Sequence, residues 1–349
     1  MRKFLANAVT LTGFALLLTS ATVAQGNDGE FDEDGDYPAV GVMAAVITIG
    51  GQIAWAGIFC SGTLIVSEAT VASGTYLTAG HCLFVDAREE METPGYLAQY
   101  WVSFDSVVED NDFFCFLRTI GPYDVYCDSG RANPVTFHHA SARVVHPDYA
   151  RITEEGNGSL KIQELFTKEY IDLALLLLDE VPKGVSPLPV ADPGTFDDGD
   201  DYKGTPLVDV GYGLDFHKFV PAEPTQPGGV GPTTFRGDFG IRRIADIGTL
   251  REITSQTIIP TQQSALGEDS VCYGDSGSPL FLRNADGTVV QTVSGVLTGW
   301  AQWCIGAYDP FWRVDTLEAV GFFACVEGAT TTQEACECGI EDRLGLCGS

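Results

Sequence analysis

The sequence predicts an all-β fold, and three observations carry that prediction. Short runs rich in β-branched, aromatic and apolar residues recur from Pro38 onward, each broken by glycine or a polar turn. Among 349 residues, 45% are hydrophobic and there are 40 Gly and 17 Pro, a turn-rich composition that suits a β barrel or sandwich better than a helical bundle. Few stretches show helical periodicity, and no repeat period runs along the chain, which sets solenoids and propellers aside.

Before these runs, the amino terminus reads as a secretory signal peptide over residues 1–24. Arg2 and Lys3 give a basic start, Val9 to Leu18 is mostly apolar, and Ala21-Thr22-Val23-Ala24 offers small residues for cleavage after Ala24. Asn7 and several threonines argue against an uncleaved membrane anchor, and no later stretch is apolar enough to span a bilayer. Residues 25–37 are acidic and poor in apolar side chains, so a flexible leader is expected. Asp32, Asp34 and Asp36 alternate as in a calcium loop, but the rest of that pattern is missing, and no metal is expected.

The strands follow in order: Val40–Ile49, Ile53–Phe59, Thr63–Val66, Tyr76–Thr78, Ala142–Val145, Leu173–Leu178, Leu207–Tyr212, Leu280–Leu282, Val289–Leu297 and Phe311–Val314. Leu173–Leu178 is an unbroken apolar run, the pattern of a strand buried on both faces. Residues 86–130 and 150–169 lack such regularity and read as surface insertions; the second holds the glycosylation sequon Asn157-Gly158-Ser159. Thr316–Phe323 suits a short closing helix, and residues 326–349 form a Cys-rich tail that buries little core of its own and relies on disulfide staples.

Ten cysteines, at 60, 82, 115, 127, 272, 304, 325, 336, 338 and 347, imply up to five disulfides and an oxidising compartment, extracellular or periplasmic. Zinc would want paired Cys/His knuckles, which are lacking. Eleven residues separate Cys115 from Cys127, an easy loop to close. The last four cysteines allow three pairings, and the closeness of Cys336 and Cys338 disfavours their mutual bond. A formal net charge of -29 argues against nucleic acid or an anionic membrane as partner, since both need a basic face.

Three segments carry chemistry. Ser276 stands in Cys272-Tyr273-Gly274-Asp275-Ser276-Gly277-Ser278-Pro279, where glycines permit a tight turn that exposes a hydroxyl. The N–H groups of Gly274 and Ser276 in such a turn converge on one developing oxyanion. A plain surface Gly/Ser turn is the bland alternative. The elbow of α/β-hydrolases is excluded, because Ser278 replaces its second glycine and no histidine follows Ser276. His81, in Leu77-Thr78-Ala79-Gly80-His81-Cys82, is the candidate base, with an intrinsic pKa suited to taking the serine proton. Asp172 opens the apolar run Leu173–Leu178, a place where a carboxylate needs a partner and can orient an imidazole.

Together and in this order, the three segments resemble the T-A-A-H-C, D-I-A-L-L and G-D-S-G-G-P signatures of the trypsin/chymotrypsin family, over roughly residues 38–325. Cys60-Ser61-Gly62-Thr63-Leu64-Ile65 is similar to the family's C-G-G-S-L-I strand, Val144-Val145-His146-Pro147-Asp148-Tyr149 to its V-H-P-x-Y segment, Gly211-Tyr212-Gly213 to its G-W-G turn, and Phe311-Trp312-Arg313-Val314 to its Y-T-R-V strand. The resemblance implies two six-stranded antiparallel barrels with a short C-terminal helix and the Cys-rich tail, disulfides Cys60–Cys82 and Cys272–Cys304, and a structural role for His146. It implies a secreted serine endopeptidase in which Ser276 attacks, His81 shuttles the proton, Asp172 orients His81 and the Gly274 and Ser276 amides hold the oxyanion. No cofactor is required, and the partners are protein or peptide substrates and protein inhibitors. A catalytically silent protease-fold binding protein and a secreted esterase are the alternatives.

The chain departs from the family in two places. The Ile-Val-Gly-Gly terminus is absent, and no Lys or Arg lies between Lys3 and Arg88, so activation by a trypsin-like cut is not available and Asp275 needs another partner, either an internal group or a terminus made by signal removal. Ser270, six residues before Ser276, falls at the base of the specificity pocket, with Asp269 beside it; Thr298, Trp300 and Asp309 fall on its walls. This set points to bulky apolar residues first and basic residues second.

Overall fold

The computed structural model describes residues 29–67, 72–121, 125–127, 134–154, 160–164, 170–214, 239–261, 269–298 and 309–347. The signal segment 1–24, Asn157, Trp300 and Cys304 lie outside them. No described helix is long and apolar enough to cross a membrane.

Strand β1 is Glu30–Phe31, followed by β2 (Val40–Ile49), β3 (Gln52–Ile65) and β4 (Gly74–Thr78). Helix α1 (His81–Glu92) leads to β5 (Tyr96–Ser103), and α2 (Asp110–Ile120) to β6 (His138–Val145). A hairpin of β7 (Ala150–Glu154) and β8 (Leu160–Glu164) precedes β9 (Ala174–Leu178). Strands β2-β3-β4-β9-β6-β5 close into one barrel. The second half supplies β10 (Pro206–Gly211), β11 (Arg243–Ile253), β12 (Thr257–Pro260), β13 (Pro279–Arg283), β14 (Val289–Leu297) and β15 (Phe311–Arg313). These run β11-β10-β13-β14-β15-β12, and the β11–β12 pairing closes a second six-stranded barrel, with β1 added outside β11. All pairings within the two barrels are antiparallel. This is the two-barrel, chymotrypsin-like architecture.

The apolar runs explain the elements. All five residues of β9 are buried, sandwiched between β4 and β6, as an unbroken aliphatic run requires. The expected strands Ile53–Phe59 and Thr63–Val66 are one strand, because Cys60-Ser61-Gly62 continues the ladder to β2. At Gly62 any Cβ would stand 2.4 Å from the Leu77 carbonyl oxygen and 2.6 Å from the Tyr76 ring, so only glycine lets β3 lie this close to β4.

Three expectations need correction. Residues 86–130 are not a mere surface insertion. They hold the second half of α1, all of α2 and barrel strand β5, which pairs with β2 along its length and buries Tyr100, Trp101 and Val102. The strand was masked in sequence because its first half is partly exposed and its neighbours are charged helices. Residues 29–37 are not a free leader: β1 pairs with β11, and Asp32, 2% exposed, meets Arg242 at 2.7 Å. The Asp32 carboxylate also accepts from the backbone N–H groups of Asp36 and Tyr37, so this acid closes a turn around the Arg242 guanidinium.

The tail also differs from expectation. The closing helix α3 (Leu317–Gly328) runs past the expected boundary at residue 325, and α4 (Thr332–Glu337) and α5 (Ile340–Arg343) fold back on β6. Cys325–Cys338 and Cys336–Cys347 staple them, one of the three pairings the sequence allowed. Ala335, Ile340 and Leu344 are buried, and the buried Glu341 carboxylate accepts from the Val145 N–H at 3.1 Å with the Arg143 guanidinium 3.6 Å away. Burial pushes the Glu341 carboxyl up to about 7, against the pull of Arg143.

Candidate active site

His81 begins α1, and the first turn of that helix shapes its surroundings. The Asp172 Oδ1 accepts from the His81 backbone N–H at 2.7 Å, so the carboxylate sits at the positive end of the helix dipole. Its Oδ2 lies 2.8 Å from His81 Nδ1. Asp172 is fully buried between Ile171 and Leu173, whereas the His81 side chain is 31% exposed. A dry carboxylate on one side and an open face on the other leave Nε2 as the nitrogen that can meet a reacting group. Desolvation pulls the His81 imidazole down, but the charge and hydrogen bond of Asp172 outweigh it and raise the pKa above its ordinary 6.5.

Disulfide Cys60–Cys82 fixes this loop against β3, as the motif resemblance implied. The Ser276 turn is brought to the same place. The Ser276 carbonyl accepts from the Ser61 N–H at 2.8 Å, and Cys82 Sγ lies 3.8 Å from that oxygen. Gly277, at φ +86°, is packed so closely that a Cβ would stand 2.2 Å from Thr78 Oγ1 and 2.3 Å from the Ser61 carbonyl oxygen. The turn bearing Ser276, from the second barrel, thus abuts the segment that leads into His81, from the first.

The turn is held from behind. Gly274 takes φ +100°, and the Phe239 ring stands 1.9 Å from where its Cβ would be, so no other residue fits. The Tyr273 carbonyl accepts from Leu214 N–H at 2.9 Å, and the Gly274 carbonyl from Ser61 Oγ at 2.8 Å. A trans peptide points its N–H opposite its C=O, so the bond to Leu214 turns the Gly274 N–H the other way. Among the described residues, neither the Gly274 nor the Ser276 N–H has an acceptor. Two unengaged donors two residues apart, on either side of Asp275, are what a developing oxyanion needs.

Asp275 is 1% exposed and is met by backbone donors: Gly213 N–H at 2.7 Å on one oxygen and Cys272 N–H at 2.8 Å on the other. Nearby Asp209, also buried, accepts from Ser278 Oγ at 2.5 Å; burial, then the charge of Asp275, raise its pKa well above the usual carboxylate range.

The specificity residues are only partly brought together. Ser270 and Asp309 are both buried, at 1% and 2% exposure. Thr298, expected on the pocket wall, commits its hydroxyl to Asp172 Oδ2 at 2.5 Å and receives Tyr170 OH at 2.9 Å. Cys272 is disulfide-bonded, and its expected partner Cys304 falls outside the described residues, as does Trp300. Cys115–Cys127 forms as the spacing suggested. His146 is structural: it is buried against Phe322, its Nδ1 accepts from Asp148 N–H, and burial lowers its pKa to about 4. Cys60, His81 and Cys82 lie close together, but the disulfide removes both thiolates as metal ligands. Sequence reasoning missed Ser61, Ser278, Tyr170 and Phe239. Two of them carried a signal, since Ser61 and Ser278 stand where the resembled motifs have glycine.

No protein-family model matches the chain, and no curated protein sequence does. Among solved structures, the chain is similar to human heparin binding protein at 16% identity and TM-score 0.47, covering 87% of this chain and 98% of that one. It is similar also to HL collagenase at 16% identity and TM-score 0.45, covering 83% of this chain and 94% of that one. The fold assignment rests on the strand pairings themselves.

Proposed function

We propose that the protein is a secreted serine endopeptidase. Ser276 attacks the scissile carbonyl, His81 Nε2 takes its proton and returns it to the leaving amine, and Asp172 holds the imidazole in the Nδ1–H tautomer and stabilises its cation. The amides of Gly274 and Ser276 receive the oxyanion. Water then repeats the cycle on the acyl-enzyme.

One observation carries this reading: a fully buried carboxylate hydrogen-bonded to a partly exposed imidazole, beside a glycine-bounded serine turn with two unengaged N–H groups. A structural histidine would not need a dry anion at one nitrogen and solvent at the other. Backbone donors meet Asp275, so activity is proposed to arise without an Arg- or Lys-directed cut. Disulfides among the described residues fit an oxidising compartment.

The test is labelling by a fluorophosphonate, followed by turnover of casein and of a simple ester. The reading expects labelling of the wild type, none in Ser276→Ala, and cleavage of casein. A protein that is not labelled is a binding protein, and one that turns over only the ester is an esterase; either result overturns the proposal.

A further inference from the structure

We propose that Tyr170 is a positioning residue for the His81–Asp172 pair, acting through Thr298 across the boundary between the barrels. This rests on the hydrolase reading above.

Tyr170 and Asp172 lie two residues apart, with Ile171 turned into the core between them, and both reach Thr298. Thr298 follows β14 in the second barrel, whereas Tyr170, Asp172 and His81 belong to the first. The direction of the bonds is fixed by chemistry. An ionised carboxylate only accepts, so Thr298 Oγ1 donates to Asp172 Oδ2, and its single proton is then engaged. Tyr170 OH must therefore donate to Thr298 Oγ1. The result is a continuous chain, Tyr170 to Thr298 to Asp172 to His81 Nδ1.

The phenol is held in place by rings from both sides. Trp312 of β15 packs at 5.6 Å between centroids, and Tyr149 of the first barrel meets Tyr170 edge-on, also at 5.6 Å. Tyr149 in turn packs on Phe84 of α1. The hydroxyl of Thr298 cannot rotate away while Tyr170 donates to it, so the second barrel keeps one hydrogen bond aimed at the Asp172 carboxylate. Donation from Tyr170 also polarises the Thr298 O–H and draws charge from Asp172. Burial keeps the phenol protonated throughout the working pH range. Asp172 is the charged group acting on both His81 and Tyr170.

Tyr170→Phe removes the donor and keeps the ring contacts. The experiment compares wild type, Tyr170→Phe, Thr298→Val and the double variant. It follows the His81 imidazole titration and its Nδ1–H resonance by NMR, and kcat and KM on a chromogenic peptide. Removing the donor leaves more charge on Asp172, so in Tyr170→Phe the His81 midpoint is expected to rise by a few tenths of a pH unit. kcat is expected to fall about three- to tenfold with KM nearly unchanged, the size of one hydrogen bond. In the Thr298→Val background, Tyr170→Phe is expected to add nothing. An unmoved midpoint in Tyr170→Phe, or an undiminished effect of Tyr170→Phe without the Thr298 hydroxyl, overturns the proposal. The NMR titration needs no turnover, so a shifted midpoint in an inactive wild type would sink the hydrolase reading while leaving the chain in place.

Discussion

At the scale of single residues, the site depends on a raised imidazole pKa and a glycine that admits no side chain. The His81 pKa lies above 6.5, so the neutral base is lost as pH falls through that raised value. The acid limb of a kcat/KM profile is expected above pH 6.5. The stabilising ion pair runs the opposite way: its contribution is full below about 6.5, the unfolded value, and fades as pH rises through the folded one. An acid limb well below 6.5 would contradict the assignment of His81 as base. Asp172→Asn is expected to cut kcat by about 10⁴-fold, since the amide favours the wrong tautomer. Gly274→Ala meets both the φ of +100° and the Phe239 ring, so the donor there is displaced and kcat falls by about 10²–10³-fold. A Gly274→Ala variant with wild-type kcat would show that this amide is no part of the site.

At the scale of elements, the tail and the amino-terminal segment act as clasps. Glu341 of α5 has its carboxyl raised from 4.5 to about 7 by burial, so the native state binds a proton that the unfolded chain has released between those values. The contribution of Glu341 to stability is therefore greatest below about 4.5 and declines as pH rises through 7. Glu341→Gln keeps an acceptor for the Val145 N–H and is expected to flatten that decline in a thermal-melting series; an unchanged slope would reject the role of Glu341. Cys336→Ser with Cys347→Ser opens an eleven-residue staple and is expected to lower unfolding free energy by about 2–3 kcal/mol in denaturant titration. The strands themselves were largely legible: β2 and β14 match the apolar runs to the residue, because both faces of each are covered for much of their length. Helix α1 was not, since its HCLFVDAREEME face buries Asp86 under the hydroxyls of Tyr96 and Tyr100 and so hides its apolar period. Strand β11 was missed for a related reason: Arg243, Asp246 and Arg251 interrupt its alternation.

At the scale of the whole molecule, the two barrels are joined by polar side chains that no periodicity announces. Arg242 pairs with Asp32 and donates to the carbonyl oxygens of Val40 and Phe104, so one guanidinium links the amino-terminal segment, both barrels and the Tyr212 hydroxyl. Asp32→Asn leaves that cation without its anion and is expected to cost about 3–5 kcal/mol of stability, read in denaturant unfolding. A loss below about 1 kcal/mol would show that the clasp is dispensable. Ser61 performs a similar task nearer the site, accepting from Tyr212 N–H and donating to Gly274 O. The three motif segments could be read from sequence because each has a distinctive residue order. Links such as Tyr170–Thr298 could not, because they depend on the register between barrels. The most direct test of the whole is mass spectrometry of the protein quenched in acid during turnover of a slow peptidyl ester. The expected result is one acyl group per chain on Ser276, absent from His81→Ala; turnover with no adduct, or with the adduct on another residue, would contradict it.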